Sequence, residues 1–320
     1  MIVKIFKTIG SRTYLTSIFL IVSTVLFSSA IDKRGAPLID QWPSILGNVL
    51  LMVTIISMIT LLEIQIKGRI FDGIHLIAFP TTFLFFPTLF DLKIIPILQV
   101  ILLIHGRYVF IKTLHSKNTE KWILDLSLII SIVVQFNYFF SIFYLIPLII
   151  LFQRGLNDIK HVLTLVLPVL IIPFTFNSLS VILPTETFAL INPPVQTQLL
   201  KIHLLSNGDL IWLSSLLISA VICAVQLPRG YRKFSYPELF SGFLYMSFWL
   251  TFSITYGLLG LQTTDDRWFI SFVPVAYFFG GFLENIKSDS LKNIFFTVLI
   301  LAILIFKLFD HGIISLELPF

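Results

Sequence analysis

The feature that most constrains this chain is a series of long apolar stretches that contain almost no charged residues. The stretches are about 17–23 residues long, the length that an α-helix needs to cross a hydrocarbon layer roughly 30 Å thick. The chain is 57% hydrophobic and 12% charged, whereas a soluble domain is roughly 45–50% apolar and about 25% charged. So little charge cannot cover a water-facing surface of this size. The composition therefore predicts an all-α, polytopic bundle of transmembrane helices.

The apolar stretches predict about eleven membrane segments in one integral membrane domain that covers residues 1–320. The first stretch has two interpretations, a retained span or a signal peptide, and its length favours the span. The predicted segments are 14–30, 44–66, 74–90, 95–114, 123–136, 138–152, 162–183, 210–227, 239–260, 269–286 and 291–309.

The Lys and Arg residues in the short loops predict the orientation of the chain. With the N-terminus in the cytoplasm, fifteen of the 22 Lys and Arg residues lie in inner loops and five lie in outer loops. The C-terminus then lies on the outer side. The basic residues form no continuous stripe, so the net charge of +5 does not predict binding to nucleic acid.

The stretch 123–152 is too long for one upright span and too short for two full ones. Both flanking loops are basic, and a single span would place them on opposite sides of the membrane. We therefore predict two short helices that fold back at Asn137. Two alternatives remain for the turn. It lies in a polar pocket at membrane depth with Gln135, Tyr138 and Ser141, or it is a tight loop at the outer interface.

Prolines interrupt several of the predicted spans. Each proline removes one backbone hydrogen-bond donor from a helix. The prolines therefore predict either helix kinks that improve packing or broken helices that line a site, as in transporters. They are Pro80, Pro87, Pro168, Pro173 and Pro274.

The longest predicted outer loop covers residues 184–209. A pair of prolines at 193–194 precedes Val195, Leu199 and Ile202, which recur at helical spacing before a Ser-Asn-Gly sequence. This pattern predicts a short amphipathic helix that begins after proline and ends at glycine. We expect this helix to lie on the outer membrane surface.

Arg107 lies within a predicted span, about 10 Å from its cytoplasmic end at 1.5 Å per residue. An ionisable residue inside a span is a functional hypothesis by default. One interpretation is a side chain that snorkels to the inner surface. The other is an anion site or a buried ion pair, for which Glu63 and Glu284 are candidate partners.

Acidic residues gather in the predicted outer loops, where a carboxylate can act as a general base or bind a metal-pyrophosphate group. Alternatively, the outer loops simply lack the Lys and Arg excess of the inner side. Four of these acidic residues, the adjacent Arg267, and Arg107 and Asn137 from above are the candidate substrate-binding residues: Arg107, Asn137, Asp32, Asp40, Asp265, Asp266 and Arg267.

No motif in the chain specifies a reaction. A phosphate-binding GxxxxGK[ST] loop, HExxH, CxxC and GxSxG are all missing from the sequence, and the six histidines lack ligand spacing. We therefore predict no metal and no cofactor. Any chemistry would take place at the membrane, on a lipid-borne or transported substrate.

The order of features in FPTTFLFFPTLFDLKIIPILQVILLIHGRYVFIKTL, ILDLSLIISIVVQFNYFFSIFYLIPLIILFQRG and LVLPVLIIPFTFN, from about Phe79 to Asn177, resembles a family of uncharacterised multi-pass inner-membrane proteins from flavobacteria and their relatives. The later WFISFVPVAYFFGGFLENIKSDSLKNIFF is similar to the last conserved block of that family. The resemblance implies the inner membrane of a diderm bacterium, with the outer side facing the periplasm. It implies no activity.

Two function hypotheses follow. The first is an envelope-biogenesis enzyme or transporter that acts on a lipid-linked substrate. By analogy with multi-span glycosyltransferases, Asp32 or Asp40 would be its outer-loop carboxylate, although this loop has only about 13 residues. The second is a non-catalytic scaffold or regulatory subunit of a membrane complex. The expected partners are membrane lipid and either a lipid-linked substrate or another membrane protein.

Overall fold

A computed structural model of the chain describes mainly the residues between 94 and 295. The described residues are 15–20, 22–23, 26, 42–43, 45–47, 49–50, 53–55, 57, 94–155, 158–182, 213–225, 237–258, 264–295, 297–298 and 301. Within these residues the chain consists of helices and short turns, with no strand, which confirms the all-α prediction. Asp32, Asp40, Pro80, Pro87 and the predicted outer loop 184–209 lie outside them.

The described helices follow the apolar stretches of the sequence. They are α1 (Ile94–His115), α2 (Thr119–Phe136), the 3₁₀-helix η1 (Tyr138–Tyr144), α3 (Leu145–Gln153), α4 (Ile159–Ile182), α5 (Pro237–Leu258) and α6 (Thr264–Asn285). Residues 213–225 and 289–295 are also helical. Helices α2 and α6 begin earlier than predicted because their first turns contain polar residues, which hydropathy does not count as part of a span.

Two helices are long and apolar enough to cross a membrane, as judged by length and composition. They are Pro96–His115 and Ile159–Leu179. Three shorter apolar helices cover Tyr138–Gln153, Leu213–Val225 and Ile270–Leu283. These helices agree with a membrane protein, whereas the full number of eleven segments stays a prediction.

Helix α6 is the centre of the described core. Every residue from Ile270 to Gly281 is buried, and α6 packs against both α1 and α5. The helix continues through Pro274, just as α4 continues through Pro168 and Pro173. At these three prolines the helices are therefore not broken.

The chain folds back at Asn137, as the sequence predicted. Helix α2 ends at Phe136, and Asn137 has an extended backbone with φ −156° and ψ 109°. The return arm consists of η1 and α3, and Arg154 at its end donates hydrogen bonds to the Leu114 carbonyl oxygen and to Thr119 Oγ1. The two ends of the hairpin therefore lie side by side.

Of the two alternatives for this turn, the described side chains do not form the polar pocket with Gln135, Tyr138 and Ser141. Asn137 is buried, but Tyr138 is 66% exposed, and Gln135 and Ser141 are only half-buried. Aromatic packing replaces the pocket, since the Phe140 ring lies 4.6 Å from the Phe252 ring of α5. Phe140 and Phe143 are three residues apart, which is one turn of a 3₁₀-helix, so both point inward. The polar side chains of η1 lie at its edge.

Helix α4 exposes a largely apolar surface, in which Lys160, Thr175, Asn177 and Ser178 are exposed polar residues. Phe174 is 74% exposed and Leu170 is 67% exposed. The helix packs against α2 and, less extensively, against α3, with the ring of Phe176 lying 6.1 Å from that of Phe136. Exposed apolar side chains of this size are unfavourable in water and agree with an apolar surrounding.

Candidate functional site

Polar side chains lie between α1 and α5, which run antiparallel. Tyr245 on α5 donates a hydrogen bond of 3.0 Å to the Leu103 carbonyl oxygen on α1. Towards the other end of the pair, His115 Nε2 and Ser241 Oγ lie 2.9 Å apart. We call the surface between these two helices the α1–α5 seam. It is lined by Leu103, Gly106, Arg107, Gly242 and Tyr245. Gln99 is one turn from Leu103 and Trp249 is one turn from Tyr245, so helical spacing places them on the same two faces.

Arg107 lies inside the seam and is only 5% exposed. Its Cζ atom is 5.0 Å from the centre of the Tyr277 ring on α6, a cation–π arrangement. Gly242 on α5 makes room for the guanidinium group, since a Cβ atom added there would lie 3.0 Å from Arg107 Nη2. The snorkelling interpretation is therefore wrong, because the side chain turns into the bundle instead of towards its surface.

The Tyr245 hydroxyl also depends on a glycine. A Cβ atom added to Gly106 would lie 2.8 Å from this oxygen, closer than real Cβ contacts come. The ring of Tyr245 is 5.6 Å from Phe110 and 6.5 Å from Trp249. Gly106 thus allows a bulky, hydrogen-bonded aromatic side chain to lie directly against the backbone of α1.

Gln99 and Trp249 are buried polar residues with unpaired atoms. Gln99 is 1% exposed and Trp249 is fully buried. In the described part of the chain, the side-chain nitrogen and oxygen of Gln99 have no hydrogen-bond partner. The indole nitrogen of Trp249 also has none. A buried polar group without a partner costs about 1–3 kcal/mol, so these atoms mark a place where a further polar group would stabilise the fold.

Asn137 lies at the end of the bundle where α5 finishes. Its Nδ2 donates to the Tyr256 hydroxyl at 2.5 Å, and its Oδ1 accepts a hydrogen bond of 3.1 Å from the Phe139 backbone N–H. Both contacts fix the turn of the hairpin. The substrate-binding role of Asn137 stays a prediction.

The structure does not bring the predicted site residues into one cluster. Asp265, Asp266 and Arg267 belong to the first turn of α6, whereas Arg107 lies over Tyr277. At 1.5 Å per residue, that turn is about 15–18 Å away along the helix. Asp32, Asp40 and Glu63 lie outside the described residues, as does the side chain of Glu284.

The sequence analysis missed Gln99, Tyr245, Trp249 and Tyr277. One signal in the sequence points to Gln99: it is the long polar side chain in an otherwise apolar stretch, and it precedes Arg107 by eight residues, which places both on one side of α1. The three aromatic residues gave no such signal, because aromatic side chains are common throughout these helices.

A small ionic cluster connects α2 to α4 at the end of the bundle that contains His115. Lys160 Nζ lies 2.8 Å from Glu120 Oε2, and His161 Nε2 lies 3.2 Å from Glu120 Oε1. The hydrogen bond from Lys160, together with the positive charge of Lys160 and the contact with His161, lowers the pKa of the Glu120 carboxyl below its ordinary value. The contribution of this cluster to stability is therefore lost as the pH falls through the lowered pKa of Glu120.

The described residues contain no group of three or more His, Cys, Asp or Glu side chains that could hold a metal ion. Comparisons with protein-family models, with curated proteins and with solved structures gave no match.

Proposed function

We propose that the chain is a multi-pass protein of the bacterial inner membrane that acts on, or moves, a lipid-linked substrate in envelope biogenesis. The observation that carries this proposal is that buried polar side chains occur together with large exposed apolar ones. Gln99 and Arg107 are buried, whereas Leu170 and Phe174 are largely exposed. In water the reverse arrangement is favourable. In a bilayer an apolar exterior carries no such cost, and polar groups are retained inside the bundle where they serve binding or transport.

The chemistry of Arg107 supports an anionic substrate group. A guanidinium presents five N–H donors in a rigid plane and matches phosphate or carboxylate oxygens in pairs. The ring of Tyr277 lies against one face of the Arg107 guanidinium group. Arg107 lies about 12 Å from His115 along α1, at the end where the basic residues of the inner loops gather. Since Arg107 is 5% exposed, an anionic group reaches it only when α1 and α5 move apart.

A non-catalytic scaffold or regulatory subunit is the second candidate function. Helix α4 favours it, because this helix leaves most of its apolar surface uncovered by the described residues. Another membrane protein could pack against that surface as readily as lipid does. Such a subunit would need no substrate and would tolerate neutral substitutions in the seam.

Reporters fused after Ser116 and after Gly155 are both expected to be located in the cytoplasm. The reason is that Arg154 contacts Leu114, which places the two ends of the hairpin together. A reporter fused within the predicted outer loop, after Asn207, is the control and should be periplasmic. Opposite locations for the first two reporters would contradict both the hairpin and the orientation of every segment that follows it.

Alanine variants of Arg107, of Asp40 and of the Asp265–Asp266 pair separate the two candidate functions. For an enzyme or transporter, we expect normal abundance in the membrane together with loss of rescue of a deletion strain. Asp158, whose side chain is 87% exposed, provides a matched alanine control that should rescue fully. Full rescue by all the site variants would contradict a substrate-binding role and leave the scaffold.

A further inference from the structure

The unpaired atoms of Gln99 and Trp249 lie at one level of the α1–α5 seam. The hydrogen bond from Tyr245 to Leu103 fixes the register of the two helices. Gln99 precedes Leu103 by one turn, and Trp249 follows Tyr245 by one turn. Because the helices are antiparallel, both steps lead in the same direction. The backbone positions of Gln99 and Trp249 therefore lie at a similar height along the seam, in one layer of the core.

Between them, these two side chains offer three N–H donors and one carbonyl acceptor. Gln99 is 1% exposed and Trp249 is fully buried, and all of the polar atoms concerned are without partners in the described structure. A hydrogen bond from the indole N–H to the glutamine oxygen would be the simplest way to satisfy both groups. That bond is not formed, so the layer has spare hydrogen-bonding capacity for a group from outside the chain.

The surroundings of this layer determine the kind of group that fits. The sequence has no charged residue in 95–103 on α1 or in 245–253 on α5, and Arg107, the charged residue of the seam, is about two turns from Gln99 along α1. An anionic group is therefore matched by Arg107, whereas Gln99 and Trp249 are uncharged and match an uncharged polar group. The neighbouring side chains of Val100, Leu103 and Leu250 are apolar and almost fully buried. Apolar walls with a few convergent polar groups are typical of sites for small, largely apolar ligands.

We propose that Gln99 and Trp249 bind an uncharged oxygen group, a hydroxyl or an ester carbonyl, of a lipidic ligand. The ligand oxygen accepts from the indole N–H and the amide N–H groups, and a ligand hydroxyl donates to the Gln99 carbonyl oxygen. This assignment deepens the proposed function and rests on it, because it identifies where an uncharged part of a lipid-linked substrate is held.

The test uses the full-length chain, purified in lauryldimethylamine oxide and labelled with ¹⁵N at its tryptophans. The Trp249→Phe variant identifies the indole N–H resonance of Trp249. We expect 1,2-dioctanoylglycerol or octyl glucoside to shift this resonance saturably, and an alkane of similar size to leave it unchanged. The first probe reports a glycerolipid source of the oxygen group and the second a sugar source. Gln99→Leu is expected to weaken the binding at least about tenfold, the effect of losing one good hydrogen bond.

Two matched variants serve as controls. Gln153→Leu changes an exposed glutamine, and Trp122→Phe changes a half-buried tryptophan outside the seam, so both should bind the probes as the wild type does. Gln99→Leu should keep or raise the thermal midpoint without probe, because it removes a buried amide that lacks a partner. Its loss of binding then cannot be attributed to unfolding.

Two results would overturn the assignment: an unchanged Trp249 resonance with both oxygen-bearing probes, or equal binding by the wild type and Gln99→Leu. Failure of the proposed function has a different signature, namely full rescue of the deletion strain by the Arg107 and carboxylate variants. The two failures are distinguishable, since one is measured on purified protein and the other in cells.

Discussion

Alanine at position 106 is expected to destabilise the protein by about 1–3 kcal/mol, the usual cost of overpacking a well-filled core. The new Cβ atom would lie 2.8 Å from the Tyr245 hydroxyl. That oxygen cannot retreat easily, because Tyr245 is buried and donates a hydrogen bond to the Leu103 carbonyl oxygen. Either the ring must shift, and lose the hydrogen bond, or α1 and α5 must separate.

The Tyr245→Phe substitution provides the control within the same contact. By itself it removes one buried hydrogen bond and should cost about 1 kcal/mol. Without the hydroxyl, the nearest atoms to the new Cβ lie at 3.6 Å and 3.7 Å, which is ordinary van der Waals contact. The double variant should therefore be more stable than the sum of the two single effects predicts.

Thermal or denaturant unfolding of the four proteins in one detergent measures this coupling. A coupling energy of at least about 1 kcal/mol is expected for residues in direct contact. Strict additivity would mean that Gly106 and Tyr245 do not touch, and that the close approach of α1 and α5 is incorrect.

Replacing Asn137 by alanine is expected to destabilise the hairpin by about 2 kcal/mol, because two hydrogen bonds of about 1 kcal/mol each are lost. One is the bond to the Tyr256 hydroxyl, and the other is accepted from the Phe139 backbone N–H. After the substitution the turn loses both its cap and its link to α5.

Asn118 offers a matched control, because it is exposed and makes no side-chain capping hydrogen bond. Alanine at position 118 should leave the unfolding midpoint nearly unchanged. Hydrogen exchange of the backbone N–H of Phe139 gives a local measure and should accelerate in Asn137→Ala alone. Equal midpoints and equal exchange in the two variants would show that the turn does not depend on Asn137.

The helices and the fold-back could be predicted from the sequence, because both depend on local properties. The length of an apolar stretch determines a helix whatever its neighbours are. The basic residues on both sides of 123–152 indicated that its ends meet, and Arg154 does contact Leu114. The surroundings of the turn could not be predicted, since the polar residues near Asn137 left a polar pocket and a tight loop as alternatives, whereas the structure has aromatic packing.

The interior of the seam could not be predicted in this way. Arg107 is buried because Gly242 leaves space for it and Tyr277 covers it, and both residues are far along the chain. The sequence around Arg107 is equally compatible with a side chain that reaches the surface. Gln99 is informative only once Trp249 is known to lie at the same level, which requires the register of α1 and α5.

The 3₁₀ conformation of η1 has a consequence for how this arm tolerates changes in length. Its seven residues rise about 14 Å at 2.0 Å each, a distance for which an α-helix needs about nine residues. Consider a related chain in which this segment has two more residues and is an ordinary α-helix. Its Arg154 equivalent would lie at the same height, beside Leu114. Insertions of two residues should thus be accommodated by rewinding, whereas a single deletion would pull the arginine away from its acceptors.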